Sequence, residues 1–156
     1  MFDHIPRPIT CITWAAPHQG TRAYRKAVEH LERQGYLRLL RVINDEDVVP
    51  TIAGFLAFSP RQQKQVGICL RLYRNDYHLE HSSRANFMTF LRNLFIKPYF
   101  GRIGDWHGLG GINHWHGLKL MRERFIMHED KWKNTKLNDL YNDESIVSSA
   151  FVAGNV

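Results

Sequence analysis

The chain has 156 residues, of which 44% are hydrophobic and 23% are charged, a composition typical of one globular domain and not of disorder or a coiled coil. It has 21 Lys and Arg against 15 Asp and Glu, so the net charge of +6 makes an anionic partner worth considering without identifying one. The sequence has no apolar run long enough to cross a membrane and no signal peptide pattern at its start, so we expect a cytoplasmic protein by default.

The first part of the sequence has the pattern of a βαβ unit. Residues 9–16 (ITCITWAA) are β-branched or aromatic and uncharged, which predicts a strand buried in a parallel sheet. Helical spacing then runs from Thr21, a predicted cap, to Gly35, a predicted end. Residues 36–43 (YLRLLRVI) predict a second strand. The helix is expected to face the core with an apolar stripe made of Ala23, Tyr24, Ala27, Val28 and Leu31.

The second part of the sequence is less regular. Residues 66–73 (VGICLRLY) predict a third strand, and 75–83 (NDYHLEHSS) predict a polar turn. A helix is expected from about residue 85 to Pro98, then a glycine-rich loop over 101–113. Helical spacing resumes over residues 116–127. Two cysteines lie in apolar segments, and we expect both to be reduced core residues: Cys11 and Cys69.

The loop after the second strand, residues 44–50, is the first place to look for function. Working residues in open α/β sheets follow the carboxyl ends of the strands. This loop has three consecutive carboxylates, Asp45, Glu46 and Asp47. Because like charges repel, we expect at least one of them to have a cationic or hydrogen-bond-donating partner. The alternative interpretation is a solvated turn without a function.

Two motifs in this order carry a family resemblance. Residues 15–20 (AAPHQG) are similar to a G-A-P-x-x-G turn, and residues 41–50 (RVINDEDVVP) to an R-V-x-N-x-x-D-x-V-P signature. Both are features of the class 3, or fungal-type, lipases, which the chain resembles over roughly residues 8–74. The resemblance implies an α/β fold: the C-terminal half of an α/β-hydrolase, with parallel strands and flanking helices in an incomplete sheet. We assign residues 1–128 to this partial domain and 129–156 to a polar, loosely ordered tail.

The resemblance also implies a Ser-Asp-His triad that cleaves carboxylic esters of lipids, such as acylglycerols. The family's triad aspartate matches Asp47, where a carboxylate orients the imidazole and stabilises the imidazolium. The implied histidine is His116, because residues 116–125 (HGLKLMRERF) resemble the family's H-x-L-x-x-Y-L-x-R-L, with Met121 in place of the tyrosine. Two other histidines, His114 and His107, remain alternatives.

The nucleophile of such a triad is missing from the sequence. A class 3 lipase carries its serine in a G-x-S-x-G elbow, and none of the serines here has the flanking glycines. We therefore interpret the chain as a C-terminal half that is inactive alone. The alternative is a catalytically dead remnant that acts as a binding module. In either case an open parallel edge would favour aggregation unless a partner protein covered it.

Segment 105–116 has a second chemical interpretation, a metal site. Its candidate ligands are Asp105, His107, His114 and His116. Their spacing matches no common zinc pattern, so we expect no metal and no cofactor.

The remaining partner classes are nucleic acid and lipid surfaces. Basic residues are spread along the chain and no nucleic-acid-binding motif is present, so we expect no nucleic acid partner. Residues 86–100 (NFMTFLRNLFIKPYF) have the pattern of a core helix. The alternative is contact with a lipid or membrane surface, because basic residues flank its aromatic face.

Overall fold

The structure is a computed structural model, which describes residues 6–17, 21–47, 49–50, 65–81, 117–144 and 146. The predicted helix at 85–98 and the predicted loop at 101–113 lie outside these residues. The elements in chain order are β1 (Ile9–Trp14), α1 (Arg22–Arg33), β2 (Leu37–Asn44), β3 (Ile68–Leu72), β4 (Tyr77–His81), α2 (Leu118–Met127), α3 (Glu129–Trp132) and α4 (Leu137–Asn142).

The described strands form one sheet in the order β1-β2-β3-β4. Strands β1, β2 and β3 are parallel, and β4 is antiparallel to β3. The predicted α/β fold with parallel strands and flanking helices is confirmed, and it is consistent with an incomplete α/β-hydrolase sheet. Since the last residues of β2 and β3, Asn44 and Leu72, are in register, both strands deliver their following loops to the same edge.

The fourth strand corrects the prediction of a polar turn over 75–83. The turn is shorter, closed by the Tyr73 N–H, which donates to the Asp76 carbonyl at 2.8 Å. Tyr77 and Leu79 then alternate onto the apolar face of the sheet, where they pack against the core that contains Leu70. With only these two apolar residues among polar ones, the sequence pattern was too short to distinguish a strand from a turn.

Strand β1 is more exposed than predicted. Ile12 is 51% exposed and Trp14 is 41% exposed, although a strand buried on both faces was expected. Within the described part of the chain, β1 pairs with β2 alone and therefore forms an edge of the sheet. Neither cysteine is in a disulfide; Cys69 is buried as predicted, whereas Cys11 lies on this edge strand and is exposed.

Helix α1 has the predicted ends, but the predicted apolar stripe is not the side that faces the sheet. The Thr21 hydroxyl accepts from the Tyr24 N–H, and Gly35 follows the helix with φ of +71°. The prediction that the stripe faces the core is wrong for all but Val28, since Tyr24 is 46% exposed and Leu31 39% exposed. The buried line passes instead through Val28 and Glu32.

The core divides between the two faces of the sheet. On one face Val28 of α1 packs with Leu39 and Val66. On the other face α2 and α3 cover the sheet, with a larger core made of Val42, Leu70 and Leu72 and of the half-buried Leu40, Tyr77, Leu79, Phe125 and Trp132. Rings join the elements of this second face, because Phe125 stacks on Trp132 and meets Trp14 edge to face, at centroid distances of 5.9 and 5.7 Å.

Helix α4 is held to the opposite end of the sheet by Tyr141. Its hydroxyl donates to Glu32 Oε1 at 2.5 Å and accepts from the Leu39 N–H at 2.9 Å. Arg38 lies over the Tyr141 ring. Burial, and secondly the negative charge of Glu32, raise the pKa of Tyr141 above its ordinary value. The boundary at residue 128 stays a prediction, but the part of 129–156 that is described includes this anchored helix.

Removal of the Tyr141 hydroxyl is expected to lower the free energy of unfolding. Tyr141→Phe leaves Glu32 and the Leu39 N–H without that partner, which costs about 1–3 kcal/mol at pH 7. The pKa of Tyr141 is higher in the folded than in the unfolded state, so its contribution is fully present below a pH of about 10 and is lost as the pH rises further.

Urea denaturation at pH 7 and at higher pH measures both effects. The wild type should lose stability above a pH of about 10, and Tyr141→Phe should lack that part of the loss. Tyr24→Phe, at an exposed position on α1, is the control and should match the wild type at both pH values. Equal stability of Tyr141→Phe and Tyr24→Phe would contradict the anchoring role.

Candidate active site

The acidic loop lies at the edge where β2 and β3 end. Asn44, the last residue of β2, is fully buried, and Asp45 and Asp47 are each only 2% exposed. The alternative of a solvated turn is therefore wrong. Buried carboxylates need charge or hydrogen-bond partners, and these define the chemistry of the loop.

Asp45 is held by β3. Its N–H donates to the Leu72 carbonyl at 2.9 Å, and its Oδ1 lies 3.5 Å from Nη1 of Arg71. The other guanidinium nitrogen of Arg71 meets Glu80 of β4 at 3.3 Å. Asp45 is thus part of a charged chain across one face of the sheet.

Glu46 is held by α2. Its two carboxylate oxygens lie 2.5 and 3.3 Å from Nη1 and Nη2 of Arg124. Each of these first two carboxylates therefore has an arginine partner, and the expectation of a cationic partner for at least one of them is confirmed.

Asp47 forms two hydrogen bonds within its own loop. Its N–H donates to the Asn44 carbonyl at 3.1 Å, and its Oδ1 accepts from the Val49 N–H at 2.9 Å. The far end of the loop is also held, because the Gln65 side chain donates to the Pro50 carbonyl at 3.0 Å. These contacts place a buried aspartate at the carboxyl edge of the sheet with a defined side-chain orientation.

Comparison with known families gives one match. Residues 2–56 match the family model described as lipase (class 3). The chain is similar to the class 3 lipases, and the predicted resemblance is confirmed over these residues. Comparisons with curated proteins and with solved structures found no match. The family match supports a lipase-like ester hydrolase with lipid esters as substrates.

The matched part contains both lipase motifs. In the first, Ala15 stands where the lipase turn has its first glycine, and its φ of +49° lies in the left-handed region that favours glycine. Ala15 is nevertheless buried, and its N–H donates to the Val42 carbonyl at 2.9 Å. The start of this turn therefore has a left-handed backbone conformation at the end of β1, although an alanine occupies the position.

The candidate triad histidines cannot be placed relative to Asp47. His116, His114 and His107 lie outside the described residues, so their contact with Asp47 stays a prediction. Gly117 is described as the N-cap of α2, which confirms the predicted helix from Leu118 onward.

The arginine partners of the loop were not identified from the sequence. Arg71 lies in the buried strand β3, where a charged side chain is itself a sign of a buried partner. Arg124 lies in α2 and is only 5% exposed. Two features of the sequence could have indicated these roles: Arg71 is a charge inside an apolar strand, and Arg124 lies in the helix that follows the candidate histidine.

Among the residues that the structure describes, no three His, Cys, Asp or Glu side chains lie close enough to hold a metal ion. The candidate ligands Asp105, His107, His114 and His116 are outside that part. No helix in the described ranges combines the length and apolar character needed to cross a membrane.

Proposed function

We propose that this chain supplies the aspartate and the histidine of a lipase-type carboxylic ester hydrolase of lipid metabolism. Asp47 orients His116, and the serine comes from sequence outside the chain. The substrates are acylglycerols or related lipid esters. One observation carries the proposal: the aspartate that matches the lipase signature is buried at the carboxyl end of β2, and its Oδ1 accepts a hydrogen bond from the Val49 N–H.

In the proposed mechanism the serine is the nucleophile, His116 transfers the proton, and Asp47 stabilises the charge on His116. The serine hydroxyl attacks the ester carbonyl carbon while His116 accepts its proton, and the Asp47 carboxylate stabilises the imidazolium that forms. His116 then gives the proton to the departing alcohol, which leaves an acyl-serine. Water attacks this second ester by the same proton transfers and releases the fatty acid. The burial of Asp47 strengthens its effect, because charges interact more strongly away from water.

The test of this proposal is a comparison of the chain alone with the chain joined to a segment that carries a G-x-S-x-G serine, encoded upstream of Met1 or supplied by another lipase. Both are assayed on emulsified acylglycerol and labelled with a serine-reactive fluorophosphonate. We expect hydrolysis and labelling with the joined protein alone. A joined protein that folds but neither hydrolyses ester nor reacts with the probe would contradict the proposal, as would full activity of the chain alone.

A second candidate function is a non-catalytic binding module, and the exposed edge strand favours it. Ile9, Ile12 and Trp14 are all exposed along β1, and β1 has no partner but β2 among the described strands. Backbone groups along such an edge can pair with a strand from another protein. In the hydrolase proposal the same edge would receive the part of the sheet that carries the serine. Lipid-surface contact through residues 86–100 stays a prediction, which liposome flotation would test.

A charge on the edge strand is expected to reduce self-association. Ile12→Lys places an ammonium group at an exposed position of β1, where it opposes strand addition, and the free energy of unfolding should change by less than about 0.5 kcal/mol. Sedimentation velocity over a range of concentrations measures the association. Ile126→Lys is the control, because Ile126 is also exposed but lies in the helix α2, whose backbone does not offer a strand edge. Identical association of the two variants would show that the protein does not self-associate through the β1 edge.

A further inference from the structure

The Arg124 side chain joins α2 to three separate points of the acidic loop and its supporting strands. Its Nη1 lies within 3.5 Å of the Asn44 side-chain oxygen and 3.3 Å of the Leu72 carbonyl, in addition to the two contacts with Glu46. The ends of β2 and β3 and the first part of the loop therefore all meet one guanidinium group. The contact joins residues 78 positions apart in the sequence.

The geometry of the contact between Arg124 and Glu46 constrains the rotation of α2 about its axis. A guanidinium that faces both oxygens of a carboxylate makes directional bonds, whereas apolar packing tolerates small slides and rotations. Among the described residues, α2 also packs through apolar side chains, with Met121 fully buried and Phe125 in the core of the second face. Because one residue of a helix turns by about 100°, an arginine fixed at one position sets the rotation of the whole helix. Arg124 thus determines which way the start of α2 faces.

The pair also occupies a distinctive place in the sequence. Glu46 is the neighbour of Asp47, and α2 begins at Leu118, two residues after His116. The ion pair between Glu46 and Arg124 therefore connects the loop that carries Asp47 to the helix that follows His116.

We propose that Glu46 and Arg124 are positioning residues that hold the His116-bearing end of α2 in register with Asp47. This inference rests on the proposed function. Neither residue touches the reacting atoms, and both act through the orientation of the histidine. Misplacement of a catalytic group by about 1 Å is enough to lower a rate about 100-fold.

The test uses variants that keep size and change only the directional contact. Arg124→Lys keeps the charge and the stem but loses the planar fork, and Glu46→Gln keeps the shape and loses the charge. Glu46 is the more exposed partner, so Glu46→Gln is the milder change. The control is Arg71→Lys, which weakens the contact of Asp45 with β3 but leaves α2 untouched. Urea denaturation shows that each variant is folded before it is compared.

The first readout is proton NMR of the 156-residue chain. A histidine Nδ1 proton bonded to a carboxylate resonates far downfield, and assignment to His116 follows from its loss in His116→Gln. We expect the resonance in the wild type and in Arg71→Lys, and its loss in Asp47→Asn, Arg124→Lys and Glu46→Gln. If Asp47→Asn removes the resonance but Arg124→Lys and Glu46→Gln retain it, the positioning role is wrong and the proposed function stands. If the wild type lacks the resonance, or Asp47→Asn retains it, both are overturned.

The second readout is kinetics of the chain joined to a serine-bearing segment. Arg124→Lys and Glu46→Gln should each lower kcat about 10- to 100-fold with little change in KM, because substrate binding does not depend on the histidine. The double variant should lose no more than the worse single variant, since either change breaks the same contact. Unchanged kcat in both folded single variants would overturn the positioning role, and an additive loss in the double variant would show that the two residues do not act as a pair.

Discussion

Asn in place of Asp47 is expected to lower kcat for ester hydrolysis by the completed enzyme about 10⁴-fold. The amide has the shape of the carboxylate but lacks its charge, so it cannot stabilise the imidazolium and can hold the histidine in the wrong tautomer. The loss is large because the aspartate is 2% exposed, and water cannot substitute for the missing charge. Steady-state hydrolysis of a short-chain ester, with the folded fraction of each protein measured in parallel, gives the ratio.

The neighbouring aspartate provides the matched control for this experiment. Asp45 is as buried as Asp47 but is paired with Arg71 on β3, so Asp45→Asn should lower the free energy of unfolding while the folded protein keeps kcat within about tenfold of the wild type. If both variants lose activity equally, the loop is needed for structure alone. If Asp47→Asn retains full kcat, Asp47 is not the triad aspartate.

Alanine in place of Gly67 is expected to destabilise the fold by at least about 3 kcal/mol. Gly67 precedes β3 with φ of +77°, a conformation that is strained for any residue with a side chain. A Cβ atom there would lie 2.6 Å from the Leu39 carbonyl oxygen and 2.7 Å from the Leu39 Cγ. Because one of these atoms is backbone in β2, the clash can be relieved only if β3 and β2 separate where their pairing begins.

Gly35→Ala separates the two causes of that loss. Gly35 has a similar φ of +71°, but the nearest atom to its added Cβ is the end of the Arg38 side chain at 3.9 Å. We therefore expect only the backbone strain, about 1 kcal/mol. Urea denaturation of the two variants measures the difference, and equal losses would show that close packing of Gly67 against Leu39 adds nothing.

Local pattern was enough to locate most elements of the fold. The runs that became β1, β2 and β3, the Thr21 cap and the start of α2 all followed from residue type and spacing. Spacing could not say which side of α1 faces the sheet, because that depends on Glu32, which Tyr141 holds from the other end of the chain. The exposure of β1 was missed for a related reason, since burial of a strand depends on what lies beside it.

The position of the acidic loop could be predicted from the sequence, whereas the contacts of its side chains could not. Topology and the family motif together pointed to the loop after β2 and to Asp47 within it. The roles of Asp45 and Glu46 depend on Arg71 and Arg124, which come from β3 and α2. Nothing in the spacing of three adjacent carboxylates shows which arginine each one meets.

The Tyr141 anchor has a consequence for synthesis of the protein. Tyr141 and Leu39 are 102 residues apart, so the hydrogen bond between them cannot form until the ribosome has added these residues after Leu39. At about 5–20 residues per second, that delay is roughly 5–20 s. During that time β2 has been synthesised, but its Leu39 N–H lacks the hydrogen bond to Tyr141. The nascent chain is therefore expected to depend on chaperones until α4 emerges, and a ribosome that stalls before Tyr141 should hold a protease-sensitive intermediate.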